Sequence, residues 1–234
     1  MGIPEVDRSR IFVIVPTYNE GQQILRSTVS DLLPYGYTVV VVDDGSLTPA
    51  REALQGLDLY YLRHNINLGQ GAALQTGNEF ALGNGAEVVV HFDADGQHSA
   101  RLVERLVAPI LRGEVEVTFG SRFLNPADRK GVPVGKRVML KIGVFISWIF
   151  TKVWLSDTHN GFRALSRNAV EQIRMRENRF AHATEILDLL RRSRLPYAEM
   201  PTKVRYTEYS MLKGQRYLNG VSIVVDLMLR RLFK

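Results

Sequence analysis

The chain has no cysteine among its 234 residues. A disulfide framework and thiolate chemistry are therefore excluded. The first ten residues, MGIPEVDRSR, contain no apolar core segment. We therefore expect no signal peptide and a protein that stays in the cytoplasm.

Long uninterrupted apolar runs are also missing. The most apolar stretch, Val134–Leu155, is interrupted by Lys141 and Lys152, and its longest uninterrupted part is too short to span a bilayer. We expect a core or interfacial helix there. Residues 216–234 repeat apolar side chains at helical spacing beside basic ones. This pattern predicts an amphipathic helix that either packs on the domain or turns its basic end toward anionic lipid.

The chain has fewer acidic residues (24 Asp and Glu) than basic ones (30 Lys and Arg), which gives a formal net charge of +6. Such a balance favours an anionic partner. No helix-turn-helix, zinc-finger or RNP-like signature is present, so we do not expect nucleic acid. Nucleotide sugars, lipid phosphates and the anionic inner leaflet remain as candidate partners, and the basic residues concentrate after Arg122.

Short β-branched runs alternate with helical periodicity through the first half of the chain. The spacing predicts strands over 11–15, 38–42, 57–62, 88–92 and 115–119, and helices over 21–33, 50–55, 69–82 and 100–112. This alternation predicts an α/β fold with a mostly parallel sheet and helices on both faces. A chain of this length buries one sizeable core, so one domain is the default.

Polar clusters follow three of these strands. They are Pro16-Thr17-Tyr18-Asn19-Glu20, Asp43-Asp44-Gly45-Ser46 and Asp93-Ala94-Asp95-Gly96-Gln97. Each alone is compatible with ordinary loop chemistry, and the third with an Asp-Gly turn. Together they would line the carboxyl edge of a parallel sheet, where ligands bind. Two carboxylates and an amide suit Mg²⁺ or Mn²⁺ rather than zinc.

Six motifs resemble glycosyltransferase family 2, which has the GT-A fold. They are VPTYNE (15–20), VVDDGS (41–46), NLGQGAALQTG (67–77), DADGQH (93–98), GSRF (120–123) and DTHNGFRALSR (157–167). The likeness is greatest to the branch of dolichol-phosphate mannose synthase and bacterial polyprenyl-phosphate glycosyltransferases. The glycine-rich motif is no dinucleotide fingerprint, because Leu74 stands where a third glycine is needed, and no P-loop, because GxxxxGK is missing.

The resemblance implies a site for a nucleotide sugar and a divalent metal. Pro16, Tyr18, Glu20 and Asp43 would hold the base and ribose, with Asp44 and Ala94 in the same donor site. Gly71 would allow close backbone approach. Asp93, Asp95 and Gln97 would bind the diphosphate and Mg²⁺ or Mn²⁺. Arg205, Ser210 and Lys213 would form a lid over the diphosphate, although a solvated loop explains them equally well.

The resemblance also implies an acceptor site. Arg122 and Arg137 match the two arginines that hold a lipid phosphate in the family, and Lys141 stands where the family often has serine. A snorkelling surface lysine is the alternative for Lys141. Asp157 is expected near the acceptor without an assigned role as base. Asp95, Asp157, Arg122 and Arg137 are thus the expected catalytic set.

The expected activity is an inverting, metal-dependent transfer of sugar from a UDP- or GDP-linked donor to a polyprenyl phosphate. We expect it at the inner face of the cell membrane, where a small integral membrane protein is a candidate partner. Transfer to a saccharide acceptor and non-catalytic nucleotide-sugar binding are the alternatives. The catalytic domain would cover residues 1–215, divided near residue 122 into a donor half from about residue 10 and an acceptor half from 123.

Overall fold

The computed structural model describes residues 7–125, 151–158, 160–177 and 182–204. It also describes Lys141, Val144, Phe145, Trp148 and Ile149, which are helical. The predicted C-terminal helix and the site residues Arg137, Arg205, Ser210 and Lys213 lie outside these ranges and stay predictions. The proposed division into donor, acceptor and C-terminal parts stays a prediction as well.

Seven strands of the described part form one sheet. They are Ile11–Thr17 (β1), Thr38–Asp43 (β2), Tyr60–Arg63 (β3), Val88–His91 (β4), Val117–Ser121 (β5), Arg163–Ser166 (β6) and Tyr197–Pro201 (β7). Their order across the sheet is β3-β2-β1-β4-β6-β5-β7. Only β6 runs antiparallel to its neighbours among these strands. The prediction of a mostly parallel α/β sheet is confirmed.

Helices cover both faces of the sheet. They are Gln22–Leu32 (α1), Gln70–Gly83 (α2), Val103–Leu111 (α3), Arg167–Gln172 (α4) and His182–Ser193 (α5). Alternate residues of each central strand point to opposite faces. One apolar core therefore joins the sheet to α1 and α3, and the other joins it to α2, α4 and α5. The predicted helices on both faces are confirmed.

Several boundaries differ from the sequence-based expectation. We expected Pro16 to end β1, but the strand continues to Thr17. Pairing of β1 with β4 ends at Ile14, whereas pairing of β1 with β2 continues to Thr17. The nitrogen of Pro16 lies on the β4 side of the strand, where no further hydrogen bonds are made, so its missing N–H interrupts no strand pairing. The strand expected over 57–62 covers only Tyr60–Arg63, and the helix expected over 50–55 is a single 3₁₀ turn. The helix expected over 100–112 starts with another 3₁₀ turn.

The sheet order brings the three polar clusters together. Because β2, β1 and β4 are neighbours and parallel, their carboxyl ends meet at one edge. The expectation of a shared edge is confirmed. Among the described residues, no helix is both long and apolar enough to cross a bilayer.

Candidate active site

The loops after β1 and β2 are joined by two hydrogen bonds. The Asn19 N–H donates to Ser46 Oγ over 2.9 Å, and the Leu47 N–H donates to Asn19 Oδ1 over 2.9 Å. Asn19 has a left-handed backbone with a φ of 50°, which asparagine tolerates well. Beside these loops lies an open cleft of about 540 Å³, lined by Thr17, Asn19, Glu20, Gln22, Leu25, Ser46, Leu47, Thr48 and Ala50.

Asp43 holds the second loop from inside. Its buried carboxylate accepts hydrogen bonds from the Ser46 N–H, the Ala50 N–H and the Tyr61 hydroxyl at 2.9, 3.0 and 2.7 Å. Burial alone would raise the pKa of Asp43, but these hydrogen bonds outweigh it and lower the pKa below its usual value. The described structure therefore gives Asp43 a loop-building role, and its contact with a nucleotide stays a prediction.

Asp44 positions the glycine-rich turn before α2. Its carboxylate accepts from the backbone N–H groups of Leu68 and Gly69 at 3.0 and 2.7 Å, and it lies 2.7 Å from His64 Nδ1. The other nitrogen of His64 lies 2.9 Å from Thr76 Oγ1 on α2. Asp44 thus fixes the entry to α2 against the end of β2.

Thr17 is a cleft residue that the sequence reasoning did not single out. It is 4% exposed, and its hydroxyl is among the buried polar atoms of the described part that have no hydrogen-bond partner. An unsatisfied buried hydroxyl at a cleft wall is suited to a polar ligand. The signal was present, because Thr17 lies inside the VPTYNE motif. Tyr18, the next residue, is 46% exposed.

Gly71 and Ala94 are predicted donor-site residues that face protein. A Cβ at Gly71 would overlap the carbonyl oxygen of Glu177, so the close approach seen here is that of the segment between α4 and α5. Ala94 is buried, and its carbonyl accepts from the Thr28 hydroxyl of α1 over 3.3 Å. Their contact with a nucleotide sugar stays a prediction.

The carboxylates Asp93 and Asp95 follow β4. Burial, and next the charge of Asp93, raise the pKa of Asp95 to about 6. Two carboxylates that oppose each other's ionisation fit a bound divalent cation. Gln97 donates to Asp95 from its backbone N–H over 3.1 Å and from its side-chain amide over 2.7 Å. Asp95 therefore also forms the turn that we named as the alternative, and metal binding by this segment stays a prediction.

No group of three or more His, Cys, Asp or Glu side chains within the described ranges is arranged to hold a metal. Magnesium-type ions commonly use one or two carboxylates and take their remaining ligands from substrate phosphates and water. Asp93 and Asp95 fit that pattern. Gln97 orients Asp95 here, and its role as a direct ligand stays a prediction.

Two residues from β6 and the segment before it interact with Asp93, Gly161 by close approach and Arg163 through its charge, and the sequence reasoning missed both. A Cβ at Gly161 would lie 2.5 Å from Asp93 Oδ2. Arg163 is 4% exposed, and burial lowers its pKa to about 10 although the charge of Asp93 opposes that shift. Gln70 Nε2 of α2 donates to Asp93 Oδ1 over 3.2 Å. Asp93 is therefore enclosed by α2 and by the start of β6.

On the acceptor side, Arg122 and Asp157 form a buried ion pair. Arg122 Nε and one terminal nitrogen each lie 2.6 Å from a different oxygen of Asp157, and the Arg122 N–H also donates to Asp157 over 3.2 Å. Arg122 is 7% exposed and Asp157 is 1% exposed. The structure thus brings together two predicted catalytic residues, and it occupies both oxygens of Asp157.

His98 lies between the two halves of the site. It packs against the rings of Phe92 and Phe162 and is hydrogen-bonded to Asn160. Burial lowers its pKa to about 4, and the charge of Arg122 acts in the same direction although Asp95 and Asp157 oppose it. His98 is therefore neutral at pH 7, and it interacts electrostatically both with Asp95 and with the Arg122–Asp157 pair.

Glu199 of β7 fastens the segment that carries Asp157. Its carboxylate accepts from the Ser156 N–H at 2.8 and 2.9 Å and from the Ser156 hydroxyl at 2.8 Å. The Ser156 hydroxyl also lies 2.5 Å from the hydroxyl of Ser121, the residue directly before Arg122.

Lys141 is helical and exposed, which is compatible with a surface lysine. Its contact with an acceptor phosphate stays a prediction.

The chain is similar to proteins of a known family and to solved structures. Residues 12–174 match the family model described as glycosyl transferase family 2. An uncharacterised protein of Methanocaldococcus jannaschii is 34% identical over 235 residues, which cover 99% of this chain and 96% of that protein.

A second relative carries a functional name. The UDP-N-acetylglucosamine–dolichyl-phosphate N-acetylglucosaminyltransferase of Methanococcus voltae is 30% identical over 245 residues, with 96% of this chain and 97% of that protein covered. Among solved structures, glucosyl-3-phosphoglycerate synthase of Mycobacterium tuberculosis, in complex with Mn²⁺, UDP and phosphoglyceric acid, matches with a TM-score of 0.59. It is 18% identical, with 87% of this chain and 73% of that chain covered, which shows a shared fold.

Proposed function

The chain belongs to glycosyl transferase family 2, and from that premise we propose that it transfers a sugar from a nucleotide-linked donor to the phosphate of a polyprenyl lipid. It is a glycosyltransferase with a GT-A-like α/β fold, and its relatives place it in the polyprenyl-phosphate branch. The identity of the donor, the need for a metal ion and the identity of the acceptor are what we propose.

The cleft between the first two loops supports a nucleotide donor. The hydroxyl of Thr17 offers an unsatisfied polar group at the cleft wall, and Glu20 lines the same cleft. Ser46 and Asn19 lock the two loops together, so the pocket is formed before the ligand arrives. A nucleoside fits this place at the carboxyl edge of parallel strands. UDP in the solved relative is consistent with that choice.

Asp93 and Asp95 are the residues that would hold Mg²⁺ or Mn²⁺. A bound divalent ion would neutralise the charge that develops on the leaving nucleotide diphosphate. Gln97 orients Asp95 through two hydrogen bonds, and Gln70 donates to Asp93. These contacts fix both carboxylates at the edge of the sheet beside the donor cleft.

The ion pair of Arg122 and Asp157 is the observation that carries the choice of acceptor. Transfer to a sugar hydroxyl needs a general base, whereas a phosphate monoester is already ionised at neutral pH and needs orientation and charge compensation. Both oxygens of Asp157 accept hydrogen bonds from Arg122, which favours a positioning role for this carboxylate. We propose that Arg122, held by Asp157, binds and orients the anionic acceptor. A phosphate oxygen of the acceptor would form the new bond to the anomeric carbon while the nucleoside diphosphate leaves, which inverts that carbon.

A polyprenyl phosphate lies in a membrane, so we propose that the protein works at the inner membrane face. A small integral membrane partner is part of this proposal. The name of the Methanococcus voltae relative, which includes dolichyl phosphate, supports a lipid acceptor.

Labelled transfer tests the proposal. Full-length protein is offered labelled UDP- and GDP-sugars with Mn²⁺ or Mg²⁺, and either undecaprenyl phosphate in detergent or soluble saccharides. We expect label in an organic-extractable, acid-labile product, and its loss on chelation of the metal. The matched variant Asp95→Asn keeps the side-chain size and should show little transfer. Label only in soluble saccharide would overturn the lipid acceptor, and undiminished transfer with EDTA would overturn the metal requirement.

A further inference from the structure

A cluster of large side chains is exposed shortly before Asp157 in the sequence. Phe145, Ile149 and Trp154 are 56%, 40% and 61% exposed. The ring centroids of Phe145 and Trp148 are 6.1 Å apart, and those of Trp148 and Trp154 are also 6.1 Å apart. Together with Lys152, these four residues are called the aromatic-lysine patch below. A contiguous apolar surface of this kind is typical of an interaction site.

The exposure of the aromatic-lysine patch follows from how its backbone is anchored. Val153 and Leu155 are 4% and 1% exposed and pack in the core beside α2 and α5. Because the residues alternate, Lys152 and Trp154 are directed outward. On the preceding helix, Val144 is buried while its neighbour Phe145 is exposed. The body of the domain thus holds the aromatic face toward the outside.

The composition of the patch fits one occupant. Tryptophan is enriched at the boundary between lipid headgroups and acyl chains, and lysine extends its charge from that depth to water. Lys152 Nζ lies 5.1 Å from the centroid of the Trp148 ring. A cation beside an aromatic face is complementary to anionic headgroups.

We propose that the aromatic-lysine patch inserts into the headgroup region of a bilayer that contains anionic lipid. The inference deepens the proposed function and rests on it, because a polyprenyl phosphate acceptor is met at a bilayer surface. It names the part of the described surface that makes the contact.

The patch is coupled to the acceptor side by a short, held segment. Trp154 precedes Asp157 by three residues, and Asp157 pairs with Arg122. Between them, Ser156 is fixed by Glu199 of β7. Insertion of Trp154 into the headgroup region therefore brings the Arg122–Asp157 pair close to the depth of a lipid phosphate. The acceptor then needs only a small displacement from its bilayer to reach the site.

Intrinsic fluorescence tests the patch directly, because the only two tryptophans of the chain are Trp148 and Trp154. Full-length protein is mixed with vesicles of phosphatidylcholine alone, or of phosphatidylcholine with phosphatidylglycerol. We expect a blue shift of the emission with the anionic vesicles, and quenching when brominated lipids replace part of the phosphatidylcholine. The variant Lys152→Gln should weaken the preference for anionic vesicles.

Matched variants keep both tryptophans as reporters. The double variant Phe145→Ser with Ile149→Ser should reduce the vesicle-bound fraction about tenfold, since two apolar side chains lose their burial in lipid. Tyr60→Ser is the control, because Tyr60 is 49% exposed on β3 at the opposite edge of the sheet. The control should bind vesicles like the unaltered chain. Binding of UDP or GDP by each variant verifies that the fold is retained.

Three results would overturn the inference. Vesicle binding without a change in tryptophan emission would place the contact elsewhere. An emission shift that depends on protein concentration without vesicles would identify a second copy as the occupant. Equal binding to neutral and anionic vesicles would show that Lys152 does not select anionic lipid.

The inference and the proposed function can fail separately. If the patch binds vesicles but label enters only saccharide, the proposed function fails alone. If undecaprenyl phosphate in detergent is glycosylated but the patch does not respond, the inference fails alone.

Discussion

Asp93 depends on residues that are distant from it along the chain. Gly161 leaves the space that its carboxylate occupies, and Arg163 places a buried positive charge close to it. Asp93 is partly buried, and a carboxylate partly removed from water is stabilised by a nearby positive charge. Asp93 is thus held in a fixed position, as a ligand of a catalytic ion requires.

The substitution Gly161→Ala tests this arrangement at the residue scale. Its Cβ would lie 2.5 Å from Asp93 Oδ2, so the carboxylate must move. We expect the Mn²⁺ concentration for half-maximal transfer to rise about tenfold, in line with the effect of disturbed outer-shell contacts at metal sites. Steady-state transfer measured across a Mn²⁺ titration gives this value.

Gly83→Ala is the control for that substitution. A Cβ at Gly83, the last residue of α2, would meet nothing within 4 Å. Its metal dependence should match that of the unaltered chain. An unchanged Mn²⁺ titration for Gly161→Ala would show that Asp93 is not positioned by this contact.

Asp157 supports a second prediction at the residue scale. Asp157→Asn leaves the Arg122 guanidinium buried without its carboxylate, and breaking a buried pair costs about 3–5 kcal/mol of the free energy of unfolding. Urea unfolding measures this loss. Arg122→Met combined with Asp157→Leu should lose less, because no single charge is left buried.

The same variant separates a positioning role from a base. If Asp157 only positions Arg122, residual transfer by Asp157→Asn should keep the pH dependence of the unaltered chain while its rate falls. Disappearance of the acidic limb of the pH–rate profile would instead identify Asp157 as the general base and contradict the proposed acceptor chemistry.

At the scale of elements, α2 is fitted closely to the segment between α4 and α5. Gly71, in the first turn of α2, contacts the Glu177 carbonyl and the side chain of His182. Glu185 of α5 accepts from the N–H groups of Arg176 and Glu177, which fixes that carbonyl. The glycine-rich motif therefore serves helix packing as well as any donor contact.

The substitution Gly71→Ala should weaken the packing of α2 against the segment between α4 and α5. We expect a loss of about 1–3 kcal/mol in the free energy of unfolding, since the added methyl group overpacks a closed contact. Gly83→Ala on the same helix has open space and should be neutral or slightly stabilising. Chemical denaturation of both variants measures the difference. Equal free energies of unfolding for the two variants would show that α2 and the segment between α4 and α5 accommodate the added methyl group without loss of stability.

The sequence predicted the edge at which the three polar clusters meet, because its determinants are local. Alternating strands and helices indicated a parallel sheet, and three strand ends carried the polar clusters that the fold brings together. The antiparallel β6 was not predicted. Its position between β4 and β5 depends on pairing between residues far apart in sequence, such as His91 with Arg163. The close approach of Gly161 to Asp93 and the charge of Arg163 near it were missed for that reason.

The acceptor side shows the same limit. Arg122 and Asp157 were both expected near the acceptor, but their mutual ion pair depends on how the segment before β6 returns to the end of β5. Residue types and motifs do not report that geometry. The structure shows that both oxygens of Asp157 are engaged by Arg122.

For the whole molecule, the central claim is that a lipid phosphate is the acceptor. Phosphorus NMR of a short-chain polyprenyl phosphate, incubated with the protein, a nucleotide sugar and Mg²⁺, measures this directly. The account predicts that the phosphate monoester signal is replaced by that of a glycosyl phosphodiester, and that Asp95→Asn leaves the monoester in place. A monoester signal that persists while the donor is consumed and sugar appears on a saccharide would contradict it.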